Sequence, residues 1–398
     1  MYKKILVLLV FFALLSLCGC WDRLEPERRA IVIGGGFDYN PERELYQVIF
    51  QIVSPLIRQG QNAGGNEKPN YWTVSAWGHS LYDALANMSK KVSRRISFSH
   101  AQLYVFSERM ARTKGVLPVV NAVARSRESR RIIILAVAKD NLEQMLTVNL
   151  PIESSNVMGL TNQIYLTMEE MGGTAVEDTR DFFTKLVQPG IEPHVVGLEL
   201  SDKKNNSGED KTDPGIEPPI RIIGKYFFKD DRLIGLLNDR ETRGSNWIIG
   251  NVRAGTLVVK YPGEQDVLVD VLISRGSSQI KPVIREGQPL IKLKIKVSGH
   301  IVNITGESGL KEESVVTKSL NQRVSQVVRN DIELALKKTQ SNQCDIFGFG
   351  FAFYRLMYKE WLEMEDNWDE IFANLPVELT IEADIKNMGL VNKGPDIR

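Results

Sequence analysis

The chain has 398 residues, of which 43% are hydrophobic, and its 50 lysines and arginines nearly balance its 49 aspartates and glutamates. This composition is typical of a folded protein and excludes intrinsic disorder and collagen-like repetition. The length predicts about two or three domains, and the formal net charge of +1 supplies no long-range attraction to nucleic acid, so we expect no nucleic-acid partner.

Residues 1–19 have the pattern of a secretory signal peptide. Lys3 and Lys4 precede a run of apolar residues from position 5 to position 17 that only Ser16 interrupts. This run is too short for a helix that crosses a bilayer, since such a helix needs roughly 17 to 25 apolar residues. The pattern therefore favours a cleaved export signal over a permanent transmembrane anchor.

The end of this signal resembles a bacterial lipobox. It consists of Leu17, Cys18, Gly19 and Cys20, with Cys18 standing where alanine, serine or threonine is usual. The resemblance implies cleavage before Cys20, attachment of lipid to its thiol, and anchoring at the outer face of a cytoplasmic membrane. Cys344 would then be the remaining cysteine and could form no intramolecular disulfide. The alternative is that Cys20 is an ordinary buried or paired cysteine.

Strands and helices alternate after the signal, and we assign residues 20–200 to an N-terminal α+β domain. Helical patterns open at Ser80, Ser107 and Asp140, where short polar side chains can cap a helix. A helical subdomain over residues 154–200 is an open alternative within this domain. Strand patterns occupy residues 30–33, 45–53, 71–76, 103–106, 132–137 and 195–200.

A polar segment over residues 201–219, which contains three prolines and two glycines, is predicted to be a linker. Residues 220–398 are predicted to form a second α+β domain that opens with a hairpin around a turn at residues 229–232. Apolar and polar residues alternate strictly over 291–298, which predicts a strand of an antiparallel sheet with one solvated face. A stripe of apolar residues over about 314–338 predicts a long helix that lies across this sheet. The predicted fold class is therefore α+β and multidomain, with mixed or antiparallel sheets packed by helices.

No group of residues has the spacing of a catalytic or metal site. The four histidines are far apart in the sequence, and residues 34–36, three glycines, lack the spacing of a dinucleotide-binding loop, so a bend or bulge is favoured there. The acids between Asp366 and Glu370 are more typical of an exposed helix face than of a catalytic pair. Lys292, Lys294 and Lys296 could contact anionic lipid headgroups, although a solvated sheet face is favoured. We expect no enzyme activity, no cofactor and no metal.

Four segments together resemble the C subunits of spore germinant receptors, the Ger(x)C lipoproteins. The first is the sequence Cys20, Trp21, Asp22 and Arg23 directly after the lipobox, followed by the strand at residues 30–34. The later segments are His100 with Glu108, Ala111 and Gly115, then residues 226–235, then residues 345–350 with Trp361 and Trp368. Two positions depart from the family pattern, Ser107 for a glycine and Ser126 for an aspartate.

The resemblance implies a receptor subunit that acts by contact with other proteins. Members of this family are lipid-anchored on the outer surface of the spore inner membrane, beside the integral membrane A and B subunits. The assembled receptor triggers germination in response to small-molecule nutrients. The resemblance also implies several α+β domains, and it supplies no catalytic residue. Two alternatives stay open, a lipid-anchored solute-binding protein of a transporter and an envelope enzyme such as a wall hydrolase.

The candidate interaction or structural residues fall into two groups. Trp21, Asp22 and Arg23 adjoin the lipid, where tryptophan favours the membrane interface, and this segment is expected to seat the protein against lipid or a membrane subunit. The second group contains two glycines that permit a tight connection after the long helix and aromatic side chains that bury large areas, so a structural role is favoured over a partner-binding surface. Its members are Asp345, Phe347, Gly348, Gly350, Trp361 and Trp368.

Overall fold

The computed structural model describes residues 2–5, 28–53, 71–148, 153, 155–171, 176–201, 220–250, 252–263, 266–305 and 313–387. Most of the predicted signal peptide, the predicted site residues from Cys20 to Arg23, and residues 202–219 of the predicted linker lie outside these ranges. In the described part, no helix is long and apolar enough to cross a bilayer.

Thirteen strands lie within the described residues. Their bounds are β1 Arg29–Asn40, β2 Leu45–Val53, β3 Tyr71–Gly78, β4 Arg95–Ser97, β5 Leu103–Ser107, β6 Ile134–Ala138, β7 His194–Leu200, β8 Ile220–Lys229, β9 Arg232–Leu237, β10 Thr256–Lys260, β11 Leu268–Arg285, β12 Gln288–Thr305 and β13 Val377–Asn387. The α-helices after residue 28 are α1 Leu81–Ser89, α2 Glu108–Thr113, α3 Leu117–Arg125, α4 Leu142–Thr147, α5 Asn156–Met171, α6 Thr179–Val187, α7 Asp239–Ile249, α8 Glu313–Ser341, α9 Phe349–Leu356, α10 Tyr358–Met364 and α11 Trp368–Ala373. This mixture confirms the predicted α+β class.

The first sheet contains nine of the described strands, in the order β3-β2-β1-β5-β6-β7-β8-β9, with β4 paired beside the start of β1. Strands β1, β5, β6 and β7 are parallel, and antiparallel strands extend the sheet on both sides. The glycines in β1 stand at a point where the pairing with β2 shifts register, between Val32 and Gly34, and the predicted bulge is thereby confirmed. Neighbouring strands approach so closely that a Cβ atom at Gly34 would overlap the Leu103 carbonyl.

Helices cover both faces of this sheet because its central strands are apolar on both sides. On one face, α5 packs Val157 and Leu160 against a cluster that includes Leu103. On the other face, α6 packs Phe182 against a cluster that includes Tyr104, and α1, α2 and α3 contribute to the same layer. The two described helices of the segment 154–200 therefore lie on opposite faces of the sheet, one in each layer.

The hairpin that follows the predicted linker belongs to the first sheet. Strands β8 and β9 pair around the turn at Asp230 and Asp231, as the sequence predicts. However, β8 also pairs antiparallel with β7, from Leu200 opposite Ile220 to His194 opposite Phe227. The first sheet thus ends beyond residue 219, because a polar composition marks an exposed connection and does not determine which strands pair across it.

The second sheet has the order β10-β11-β12-β13. The alternation over 291–298 lies in β12, whose apolar residues pack beneath α8 in one core, and the long helix across the sheet is confirmed. The sheet is not wholly antiparallel, because β13 pairs parallel to β12. The lysines of β12 face solvent, where Lys292 lies 3.9 Å from Glu378 of β13 and Lys294 pairs with Glu382.

Candidate functional site

The chain turns sharply after α8, and this turn is organised by one buried carboxylate. Asp345 is only 2% exposed. Its Oδ1 accepts hydrogen bonds from the backbone N–H groups of Phe347, at 3.1 Å, and Gly348, at 2.9 Å. Its Oδ2 accepts bonds from the N–H of Gly350, at 2.8 Å, and from Nε1 of Trp368, at 3.2 Å. Burial raises the pKa of Asp345 to about 6, and hydrogen bonds from backbone N–H groups of the turn and from Trp368 limit the rise by stabilising the charged form.

Two glycines make this turn sterically feasible. Gly348 has a φ of 74°, a left-handed conformation that glycine adopts most readily, and α9 begins at the next residue. Gly350 lies against the turn that precedes β7, so that a Cβ atom there would stand 2.7 Å from both Gly190 Cα and the Trp368 ring. The conformation of Gly348 and the close packing at Gly350 therefore explain why each of these positions in the segment 345–350 is a glycine.

The aromatic residues of the segment 345–350, together with Trp361 and Trp368, are internal. Phe347, Trp361 and Trp368 are between 2% and 5% exposed and belong to the core of the second sheet. The indole rings of Trp361 and Trp368 pack with their centroids 5.3 Å apart, and Trp361 Nε1 donates to Glu365 at 3.1 Å. These rings stabilise the core, and they present no exposed surface to a partner.

The same turn connects the second sheet to the first. The Phe351 N–H donates to the Gly190 carbonyl at 2.9 Å, and the Glu192 N–H donates to the Asp345 carbonyl at 2.8 Å. The Cys344 thiol donates to the carbonyl of Phe228 in β8 at 3.1 Å. The structure thus brings the predicted C-terminal residues together in one joint between the two sheets.

The acids considered as a catalytic pair do not form one. Asp369 pairs with Lys229 of the β8–β9 hairpin, and Lys229 also lies 2.9 Å from Glu192. Asp366 and Glu370 have no ion-pair partner among the described residues. Asp369 therefore contributes an ion pair at the solvent-exposed edge of the contact between the two sheets.

A second buried polar cluster lies at the joint, and the sequence analysis missed it. Lys225 of β8 is fully buried, and its Nζ donates to Ser245 Oγ at 2.8 Å and Asn246 Oδ1 at 2.9 Å on α7. Burial lowers the pKa of Lys225 to about 7, with nearby Lys185 adding to the effect and Glu177 opposing it. A single lysine inside the apolar run of β8 is the signal that could have revealed it, because an unpaired lysine is almost never buried.

The acid nearest this cluster has an incomplete set of partners. Glu177 pairs with Lys185, and its Oε1 lies 3.3 Å from Nε2 of the buried His194. Among the described residues, Glu177 Oε2 and His194 Nδ1 have no hydrogen-bond partner. Burial raises the pKa of Glu177 and lowers the pKa of His194 well below its usual value.

Two other segments of the resemblance meet at the opposite side of the first sheet. The Tyr226 hydroxyl donates to Glu108 Oε2 at 2.9 Å. The Asp231 side chain accepts a bond from the Leu117 N–H at 3.1 Å and packs against Gly115, whose φ is 82°. These contacts fix the β8–β9 hairpin on α2 and α3. Groups of three or more possible metal ligands are absent from the part of the chain described above.

The described residues thus form structural joints, and comparison with known proteins gives the class. A family model described as "Spore germination protein N-terminal domain" matches residues 22–200, and one described as "Spore germination B3/ GerAC like, C-terminal" matches residues 223–389. The chain is therefore a spore germination protein by class. More particularly, it belongs to the Ger(x)C family.

Relatives match along almost their full length. Spore germination protein KC of Bacillus subtilis (strain 168) is 27% identical, with 98% of this chain and 97% of the relative covered. Spore germination protein B3 of the same organism is 24% identical, with 96% and 98% covered. The crystal structure of the GerBC protein is 18% identical, covers 88% of this chain and 96% of its own, and superimposes with a TM-score of 0.54, which shows a shared fold.

Proposed function

We propose that this protein is the lipid-anchored C subunit of a nutrient germinant receptor, needed for spore germination in response to small-molecule nutrients. The observation that carries the proposal is the match of both family models in order, together with full-length similarity to proteins named for spore germination.

The subunit acts through protein contacts and not through catalysis. Among the described residues, two buried groups with shifted pKa values, Asp345 and Lys225, lie at the joint between the two sheets. Asp345 has four N–H partners there, and Lys225 has two oxygen acceptors. A catalytic group must reach a substrate, and these side chains are buried. The partners are the integral membrane A and B subunits, on the outer face of the spore inner membrane.

The membrane attachment depends on Cys20. Acylation of its thiol would place Trp21, Asp22 and Arg23 at the membrane interface, where they seat the folded body against lipid or a membrane subunit. The body is then held beside its partners by tethering, and its affinity for them can be modest because the tether raises their effective concentration.

The test is deletion of the gene in the spore-forming host, followed by exposure of the spores to nutrients one at a time. We expect loss of the response to at least one nutrient class, and restoration by the wild-type gene. Normal responses to every nutrient would contradict the proposal. High-affinity binding of a small molecule by the purified chain, with transport and not germination impaired by the deletion, would favour the alternative of a solute-binding protein.

A further inference from the structure

The outer edge of the second sheet is open. Strand β13, Val377–Asn387, pairs with β12 along its whole length, and no described strand lies on its other side. A strand of this length with an unpaired edge is a template for another extended chain. The edge therefore requires either protection or a partner.

Hydrogen bonds from α8 show which backbone groups face outward. Arg329 donates to the Leu379 carbonyl at 3.2 Å, and the Ile385 N–H donates to Asn321 Oδ1 at 2.8 Å. Residues two apart in a strand direct their backbone groups the same way, so those of Ile381 and Ala383 also point away from β12. Helix α8 thus binds one outward backbone group at Leu379 and one at Ile385, and no hydrogen bond to the outward groups between them is found among the described residues.

An open groove of about 1200 Å³ lies between this middle section and α8. Ile381 and Ala383 lie on the strand side, and Gln322 and Ser325 are among the uncharged polar residues on the helix side. Such a groove offers backbone groups on one wall and hydrogen-bonding side chains on the other. This arrangement fits an extended peptide that adds to a sheet edge.

The charge of the groove indicates which peptide it accepts. Lys318 and Arg329 line the groove, and Lys318 is exposed and has no ion-pair partner among the described residues. The acid that lines the groove, Glu382, already pairs with Lys294 on the solvated face of the sheet. Arg329 lies 4.0 Å from Glu333 on the same helix, so the surplus positive charge of the helix wall comes from Lys318, and it is complementary to acidic side chains.

A second copy of this chain is a poor occupant of the edge. Glu378, Glu382 and Asp384 lie on one exposed face of β13. If the β13 strands of two copies paired antiparallel about a two-fold axis centred between residues 380 and 383, an acid of one copy would face an acid of the other copy. Like charges that face each other destabilise a strand pair. The acids act against self-pairing and do not obstruct the groove side.

We propose that the free edge of β13 binds an extended, acidic segment of a partner protein as an added strand, with its acidic side chains toward Lys318 and Arg329. This inference concerns the surface alone and does not depend on the receptor assignment. The affinity comes from backbone bonds to the middle of β13, and the preference for acidic segments comes from α8.

The probe is a synthetic peptide of alternating threonine and valine with a glutamate at each end, and binding to the purified full chain is measured by fluorescence anisotropy. We expect saturable binding that Ala383→Pro weakens about tenfold, because proline removes one outward N–H donor and is tolerated on a sheet edge. Methylation of one alternate set of peptide amides should abolish binding, and methylation of the other set should preserve it. Charge contact without strand addition would make the two sets equivalent, which would overturn the proposal.

Lys318→Glu provides a second test that does not alter the backbone. This substitution should weaken binding of the glutamate peptide by about three- to tenfold and strengthen binding of a matched peptide that has a lysine at each end. The control Lys337→Glu lies on the same helix but outside the groove, and it should leave the affinity for both peptides unchanged. No binding of the glutamate peptide, binding unaffected by both groove variants, or dimerisation of the chain through this edge would each overturn the proposal.

Discussion

Two buried charged groups hold the same interface between the sheets in different ways. Asp345 is surrounded by N–H donors from its own turn and from Trp368, so its partners are fixed by local backbone geometry. Lys225 depends on side chains from α7 and lies near Glu177, which is supplied by a distant segment. Asp345 is satisfied within one turn and organises it, whereas Lys225 depends on partners that come together only when the chain folds. Burial shifts the pKa of both groups, so both make the stability of the joint depend on pH.

The largest expected effect follows removal of the locally satisfied charge. Asp345→Ala leaves buried N–H donors without an acceptor, and we expect the free energy of unfolding to fall by about 3 kcal/mol or more. Urea denaturation of the purified protein measures the change. Asp384→Ala, at an exposed acid of β13, is the matched control and should cost less than about 0.5 kcal/mol. Equal losses in the two variants would show that the N–H cluster contributes little.

The free energy of unfolding should depend on pH in a way that distinguishes Asp345 from Lys225, because the two titrations change it in opposite directions. The pKa of Lys225 falls from 10.5 to about 7 on folding, so between these values the unfolded chain binds more protons and stability rises with pH. The pKa of Asp345 rises from 3.8 to about 6, so in that window the folded chain binds more protons and stability falls as pH rises.

Two variants test these slopes. Lys225→Met should remove a rise of about 2 kcal/mol in the free energy of unfolding between pH 7 and 9. Asp345→Asn should reduce the opposite slope between pH 4 and 6, where Glu177 contributes a slope of the same sign. Urea denaturation across this pH range measures both. A wild-type slope at alkaline pH that survives Lys225→Met would exclude Lys225 as its source.

A smaller effect is expected at the close approach of the two sheets. Gly350→Ala places a Cβ atom 2.7 Å from Gly190 Cα and should cost about 1 to 2 kcal/mol, even though alanine is the better helix former. Gly350 is not among the glycines with a positive φ, so the loss would come from the steric overlap and not from the backbone conformation. A stabilised Gly350→Ala variant would mean that the two segments are not in close contact.

The smallest effect is expected at the rim of the joint. Asp369→Asn weakens an ion pair in which Asp369 is 46% exposed, so the loss should be below about 1 kcal/mol and should shrink at high salt. Denaturation at low and high salt concentrations checks this. A large loss that is independent of salt would place Asp369 among the structural residues of the joint.

Local periodicity allowed much of the second sheet to be predicted. The alternation in β12 and the apolar stripe of α8 each lie within one continuous stretch of sequence, and both elements form as expected. The partners of the strands were harder to predict from the sequence. The pairing of β8 with β7 and of β13 with β12 joins segments that are separated along the chain by other elements or by a linker. Local patterns contain little information on such pairing.

The joint was predicted only in part for the same reason. The resemblance singled out Asp345 and its glycines, but the contact with Gly190 and Glu192 comes from a segment about 150 residues earlier that showed no motif. The cluster of Lys225, Glu177 and His194 was missed because its members lie on separate strands and connections and become neighbours only after folding.

The most direct test of the central claim is metabolic labelling with radioactive palmitate in the spore-forming host, followed by separation of membranes from the soluble fraction. The account predicts a labelled wild-type protein in the membrane fraction, and an unlabelled Cys20→Ala variant that is released from it. A wild-type protein that carries no label, or equal labelling and membrane recovery of the two proteins, would contradict the account.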